Sequence, residues 1–230
     1  MNQNNSMKIL AVIPAYNEAD RIEKVLKGAK TYLPVLVIDD GSSDATAHIA
    51  KNSGAKVLQQ SPNQGKGAAL RAGFQYAIEE RYQAVLTLDA DGQHDPEEIP
   101  SFLSAYQLNK ADLIIGERDF SQIPPVRRLA NTLGRWSFSW AVGQPVSDNQ
   151  SGYRLISMRM MDAMLRSSES GFEFEVEMIV VCIQRGYLLE WVPIRTIYRE
   201  EGSHIHPLRH TIEFSRMVWQ TRRKMRGYQK

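Results

Sequence analysis

Two acids separated by a single residue, Asp89-Ala90-Asp91, stand directly after the apolar run Ala84–Leu88 and are followed by Gly92 and Gln93. Two carboxylates and an amide oxygen suit a hard cation such as Mg²⁺ or Mn²⁺. In extended backbone, residues two apart point the same way, so Asp89, Asp91 and Gln93 are expected to present oxygens to one point. Carboxylates this close repel, and a metal relieves that. A metal would also neutralise the charge that develops on a diphosphate leaving group. The plainer alternative is a solvated acidic turn. A calcium loop is excluded, because its required Gly and Glu positions, counted from Asp89, hold His94 and Pro100.

Three further clusters carry polar chemistry. Asp39-Asp40-Gly41-Ser42 follows the apolar VLVI. Asp40 could accept a hydrogen bond from a base N–H, while Ser42, Ser43 or Asp44 could cap a helix. Pro14-Ala15-Tyr16-Asn17-Glu18 follows KILAVI and offers Tyr16 for base stacking, or a turn capped by Asn17. Asn63-Gln64-Gly65-Lys66-Gly67 places glycines at a helix start, where backbone N–H groups and Lys66 can approach an anion. It is not a Walker A loop, since no glycine lies five residues before Gly65 and no Ser or Thr follows Lys66. Nor is it a dinucleotide fingerprint, since Gly65-x-Gly67-x-x ends at Leu70. A kinase-type ATPase and a dehydrogenase are disfavoured accordingly.

The elements that must position these clusters follow from periodicity. Lys8–Pro14, Val35–Asp39, Lys56–Gln59, Ala84–Leu88 and Leu113–Gly116 read as buried strands. Between them, Ala19–Lys30, Asp44–Ser53, Gly65–Glu80 and Pro96–Lys110 read as helices. Ile22, Val25, Leu26 and Ala29 lie on one face of the first. Alternating strands and helices predict an α/β fold with a mainly parallel central sheet, Rossmann-like and flanked by helices. Ligands of such sheets sit at the carboxyl ends of the strands, where all four clusters fall. Further on, Val126–Val142 and Phe174–Arg185 read as helices, and Tyr153–Ser157 and Leu188–Tyr198 as extended, with Pro193 favouring an edge. One domain, residues 7–206, with a C-terminal appendage, 207–230, is expected.

Composition bounds the class. The chain has 230 residues, 43% hydrophobic and 23% charged, with a net charge of +2, which implies no global nucleic-acid-binding field. Residues 207–230 carry seven Lys/Arg against Glu213, a net +6, leaving −4 on the remainder. Cys182 is the single cysteine, which fits a reducing, cytoplasmic compartment. Residues 1–6 are polar, so a signal peptide is not expected, and no apolar run is long enough for a transmembrane helix.

The ordered set of clusters resembles glycosyltransferase family 2, whose fold is called GT-A, and in particular the polyprenol-phosphate (dolichol-phosphate) mannose and glucose synthases. The resemblance covers about Met7 to Phe214. It implies a donor site for a nucleotide sugar of UDP-glucose or GDP-mannose type, lined by Pro14, Ala15, Tyr16, Glu18, Asp40, Lys66, Asp89, Ala90 and Asp91. Asp89, Asp91 and Gln93 would hold the metal. Gly116-Glu117-Arg118 is similar to the family's Gly-Ser-Arg, with Glu117 departing from the small residue. Asp148-Asn149-Gln150-Ser151-Gly152-Tyr153-Arg154, Ser170–Phe174 and Arg199–Ser203 are similar to later family segments, with His204 where Lys is common. Asp91, Arg118 and Asp148 are the implied catalytic residues, and Arg118, Arg135, Arg199 and Ser203 the acceptor contacts.

The family implies inversion at the anomeric carbon. A polyprenyl phosphate acceptor arrives anionic and needs arginines, whereas a sugar hydroxyl needs a carboxylate base, for which Asp148 is the candidate. A cytosolic transferase with a soluble or oligosaccharide acceptor, or a non-catalytic nucleotide-sugar-binding protein, are the alternatives. A nucleotidyltransferase would carry a glycine-rich, basic fingerprint where PAYNE stands.

Several features have bland readings. His204, His206 and His210 read as a polar loop rather than a zinc site. Cys182 reads as a small buried apolar residue. Trp136 and Trp140 share a helical face and read as core or interface packing. Arg127, Arg128 and Arg135 read as a solvated face. In the tail, Phe214, Met217, Val218, Met225 and Tyr228 share one side of a helix. That side would lie on an anionic membrane surface or pack against the protein's own body or a second copy.

Overall fold

The structure, a computed structural model, describes residues 7–119, 125–167, 174–195 and 207–228. Among these, seven strands form one sheet in the order β3-β2-β1-β4-β6-β5-β7. They are β1 (Ile9–Ala15), β2 (Val35–Asp39), β3 (Lys56–Gln59), β4 (Ala84–Thr87), β5 (Leu113–Arg118), β6 (Arg154–Ser157) and β7 (Leu189–Ile194). The helices are α1 (Ile22–Ala29), α2 (Thr46–Asn52), α3 (Lys66–Glu79), α4 (Ile99–Asn109), α5 (Pro125–Val142), α6 (Met158–Leu165), α7 (Phe174–Gln184) and α8 (Pro207–Tyr228).

The pairing is parallel except at β6, which runs antiparallel to both β4 and β5. The mainly parallel α/β architecture expected from the alternation is present; the extended segment expected at Tyr153–Ser157 is β6, but its antiparallel place inside the sheet was not foreseen. Helix α6 was also missed; Ser157 caps it by accepting from the Met160 N–H. Pro193 does lie on an edge strand, because among the described residues β7 pairs with β5 alone.

Alternate residues of β1 go to opposite layers, as the pleat demands. Leu10 and Val12 join α3, α6 and α7 in one core, with Phe74, Met160 and Ile179. Ile9, Ala11 and Ile13 join α1 and α4 in the other, with Leu26 and Phe102. Helix α3 lies close on β1, since a Cβ on Gly73 would come within 2.5 Å of Val12 Cγ1.

Helix α8 is integral to the first core. Met217, Val218, Thr221 and Met225 are buried, and Phe214 packs partly against the same cluster. The apolar side of the tail therefore faces the protein's own body, which removes it from a bilayer. Trp136 and Trp140, read as core or interface packing, are 74% and 53% exposed, so neither is a core residue. Cys182 is buried as expected, and burial pushes its thiol up to about 12. No helix among the described residues is long and apolar enough to cross a membrane.

Candidate active site at the carboxyl ends of the strands

The chain runs from β1 to β2 and β3 on one side, then crosses to β4 on the other side of β1. Such a reversal opens a crevice at the carboxyl ends of the strands. Here the crevice is a cleft of about 350 Å³, within the usual range for small-molecule sites. It brings together Pro14, Ala15, Tyr16, Glu18, Asp40, Lys66, Asp89, Ala90 and Asp91, with Asn63, Gly65 and Ala69 beside them. Tyr16 stands half exposed at the edge, where its ring can be covered by a ligand. Gln93 is not among the lining residues.

The loops are held by side chains whose work local sequence only partly announces. Asp40 lines the cleft, yet its two oxygens accept the backbone N–H groups of Gln64 and Gly65 at 2.8 and 2.7 Å. Its first task is to fix the start of α3. Asn17 has a left-handed backbone (φ 55°) and accepts from Ser43 N–H at 2.8 Å. It therefore ties the β1 loop to the β2 loop instead of capping α1. Asp44 accepts from Thr46 N–H at the start of α2, as a capping residue does.

The segment Asp89–Gln93 is a turn, not extended strand, with Gly92 at φ 74°. The expectation that alternation alone aligns Asp89, Asp91 and Gln93 is corrected. Gln93 instead donates its backbone N–H to Asp91 Oδ1 at 2.8 Å.

Lys66 closes the centre of the cleft. Its Nζ lies 2.5 Å from Asp89 Oδ1 and 2.7 Å from Glu175 Oε1. Burial opposes the charge on Lys66, but the two carboxylates outweigh it and hold the ammonium above its usual range. Burial likewise opposes the charge on Asp89, and the Lys66 ammonium outweighs it, so Asp89 stays below the ordinary carboxylate range. Gly152 seals this pair: a Cβ there would stand 2.8 Å from Asp89 Oδ2 and 2.9 Å from Lys66 Nζ.

Sequence reasoning gave no role to Glu175 or His94, and noted Arg154 only as the end of a segment similar to the family's. Glu175 is buried on α7 and was noted only as part of the helix. His94 is buried, and its Nδ1 accepts the Asp89 N–H at 3.1 Å. Burial pushes its imidazole down, keeping it the neutral acceptor that this bond needs. Its ring stacks on Tyr153, centroids 5.0 Å apart. Arg154 is fully buried and donates to the carbonyls of Ser151 and Glu175, fixing the start of α7. A polar residue predicted within a strand pattern was the available signal for Arg154; nothing local signals Glu175.

Beyond the cleft, Arg118 grips Asp148 with two hydrogen bonds, Nε to Oδ2 at 2.6 Å and Nη2 to Oδ1 at 2.9 Å. Asp148 is buried and also accepts the N–H groups of Gln150 and Ser151. Arg135 donates to Ser147 O at 3.5 Å, next to Asp148. Arg199 and Ser203, the remaining acceptor candidates, lie outside the described residues, as do residues 170–173, His204 and His206.

The whole-chain comparisons fit this geometry. The model of the family described as Glycosyl transferase family 2 matches residues 10–167. The chain belongs to glycosyltransferase family 2. It is 33% identical over 215 residues to an undecaprenyl-phosphate mannosyltransferase of Micrococcus luteus, covering 86% of each chain. It is 30% identical over 220 residues to a polyprenol monophosphomannose synthase of Mycolicibacterium smegmatis, covering 86% of this chain and 80% of that one. Among solved structures, glucosyl-3-phosphoglycerate synthase from Mycobacterium tuberculosis with UDP superposes with a TM-score of 0.73. That pair is 22% identical, over 96% of this chain and 81% of the other. The fold is therefore the GT-A fold, and this member of family 2 is a glycosyltransferase.

Proposed function

We propose that this family 2 glycosyltransferase moves a hexose from a nucleotide sugar, of UDP-glucose or GDP-mannose type, to a polyprenyl phosphate with inversion at the anomeric carbon. The observation that carries the acceptor class is the Arg118–Asp148 pair. A general base must have a lone pair to offer. Asp148 already accepts from a bidentate guanidinium and two backbone N–H groups, so its oxygens are engaged and not aimed at a sugar hydroxyl. An acceptor that is already anionic needs no such base. It needs cations, and Arg118 and Arg135 supply them on this side. By their names, one relative is an undecaprenyl-phosphate mannosyltransferase and the other a polyprenol monophosphomannose synthase, which supports this acceptor class.

The donor's base would stack near Tyr16, and its diphosphate would lie against Lys66 and the Gly65 N–H at the start of α3. A divalent cation, Mg²⁺ or Mn²⁺, fits this site. Among the described residues no group of three or more His, Cys, Asp or Glu could hold a metal alone. A metal held by one or two carboxylates takes its other ligands from phosphate oxygens and water. Asp89 and Asp91 would hold it, and it would offset the charge that grows on the departing diphosphate. The remaining work belongs to the chain: Gly152 and His94 fix Asp89, and Arg118 holds the attacking phosphate near the sugar. The reading places the enzyme peripherally on the cytoplasmic face of a membrane.

The test is turnover with UDP-glucose and GDP-mannose, each with Mn²⁺, offered a short-chain polyprenyl phosphate or a soluble sugar hydroxyl. Transfer to the phosphate alone is expected. Transfer to the hydroxyl alone would overturn the acceptor class, and turnover in excess chelator would overturn the metal.

A further inference from the structure

On two adjacent helices outside the cleft, four large apolar side chains are open to solvent. Leu133, Trp136 and Trp140 are 57%, 74% and 53% exposed on α5, and Trp219 is 64% exposed on α8. Leu133, Trp136 and Trp140 follow i, i+3, i+7 spacing and form one stripe. Helix α5 already buries its opposite side through Phe138, Ala141 and Val142. Helix α8 packs against α5. On its outer side Trp219 stands among the exposed Arg216, Arg223 and Arg226 at the same helical spacing. The two stripes touch: the Arg222 guanidinium sits 5.0 Å above the Trp140 ring and donates to Trp140 O at 3.2 Å. Arg223 lies 6.0 Å above Trp219.

We infer that this aromatic and basic face of α5 and α8 is a docking surface for an anionic lipid bilayer. Tryptophan has an apolar body and a polar N–H, which suits the boundary between headgroups and acyl chains. Arginines on the same face meet lipid phosphates. Charge selects this occupant. Helix α5 has no acid and α8 has Glu213 alone, so the face is of one sign. A second copy joined by two-fold symmetry would set Arg216, Arg223 and Arg226 against their own counterparts. A bilayer of acidic lipid presents the opposite charge everywhere. The face also connects to chemistry, because Arg135 on α5 reaches the loop that carries Asp148. The inference deepens the lipid-phosphate reading but rests on the surface itself. The surface is the outer side of α5 and α8, not the apolar side of the tail.

The test is flotation of the full chain with vesicles, roughly one-third phosphatidylglycerol in phosphatidylcholine, against phosphatidylcholine alone. Wild-type protein is expected to float with the anionic vesicles and to be released by salt. Arg216→Gln with Arg223→Gln and Arg226→Gln should weaken partition on the order of 100-fold, since each basic residue contributes about fivefold. Leu133→Ser with Trp136→Ser and Trp219→Ser should weaken it to a similar degree while leaving secondary structure and melting temperature near wild type. Wild-type protein that stays in solution, or either triple variant that floats like wild type, overturns the proposal. So does sedimentation showing a wild-type dimer that the serine variant dissociates. Turnover on a short-chain, water-soluble polyprenyl phosphate separates the two readings. Retained turnover without flotation sinks the docking surface alone; flotation without any phosphate acceptor sinks the acceptor class alone.

Discussion

Lys66 sits where two carboxylates converge, and the consequences belong to single residues. With the ammonium 2.5 Å from Asp89 and 2.7 Å from Glu175, Lys66 is the cation that a divalent metal must contend with at Asp89. Lys66→Met should raise the affinity of the donor-free protein for Mn²⁺ on the order of tenfold, read by electron paramagnetic resonance. It should lower the affinity for a nucleoside diphosphate. Unchanged Mn²⁺ affinity would mean that Lys66 does not guard that carboxylate. Gly152 is the second case. Its Cβ-less backbone leaves room for Asp89 and Lys66, and Gly152→Ala places a methyl within 3 Å of both. Displacing reacting groups by about 1 Å can cost about 100-fold in rate. Turnover of Gly152→Ala should fall by at least that order, with the melting temperature held within a few degrees.

At the scale of elements, the antiparallel β6 is pinned by Asp112. This buried carboxylate accepts from Ser157 Oγ at the end of β6, from Arg159 on α6 and from Leu188 N–H before β7. One side chain thus ties β5, β6, α6 and β7. Burial alone would raise the Asp112 carboxyl, but Arg159, Leu188 and Ser157 outweigh it and hold it below the ordinary range. A depressed folded value means that its stabilisation is present above the unfolded pKa, about 3.9, and is lost as pH falls through the folded value. Asp112→Asn should cost about 1–3 kcal/mol at neutral pH. In urea melts, the gap between variant and wild type should narrow below about pH 4. A gap that does not change with pH would assign the loss to packing instead.

For the whole molecule, α8 decides whether the last residues are a detachable tail or part of the core. Each of Met217, Val218 and Met225, buried in the first core, contributes about 1.5–3 kcal/mol. Their loss together is comparable to the stability of an ordinary domain. A chain ending at residue 206 should therefore aggregate or lose cooperative melting, as followed by circular dichroism. A truncated chain that melts like the full one would restore the appendage expected from composition.

The alternation of apolar runs with amphipathic helices determined the α/β class, most strands and the placement of the four polar clusters at strand ends. These are local properties, because an apolar run announces burial wherever its partner lies. The residues around the candidate donor cleft were legible for the same reason: each follows its own strand. The sequence could not say that β6 would enter the sheet antiparallel, because strand order depends on distant pairing that the pattern of one strand does not encode. It could not join Glu175 to Lys66, or Arg118 to Asp148, because each pair meets only when separate elements pack. Nor could it say which side of α8 would be covered. The helical wheel singles out Met217, Val218 and Met225 as the apolar side but not what covers it, and only packing against α5 and α7 put them in the protein's own core and left Trp219 and its arginines outside.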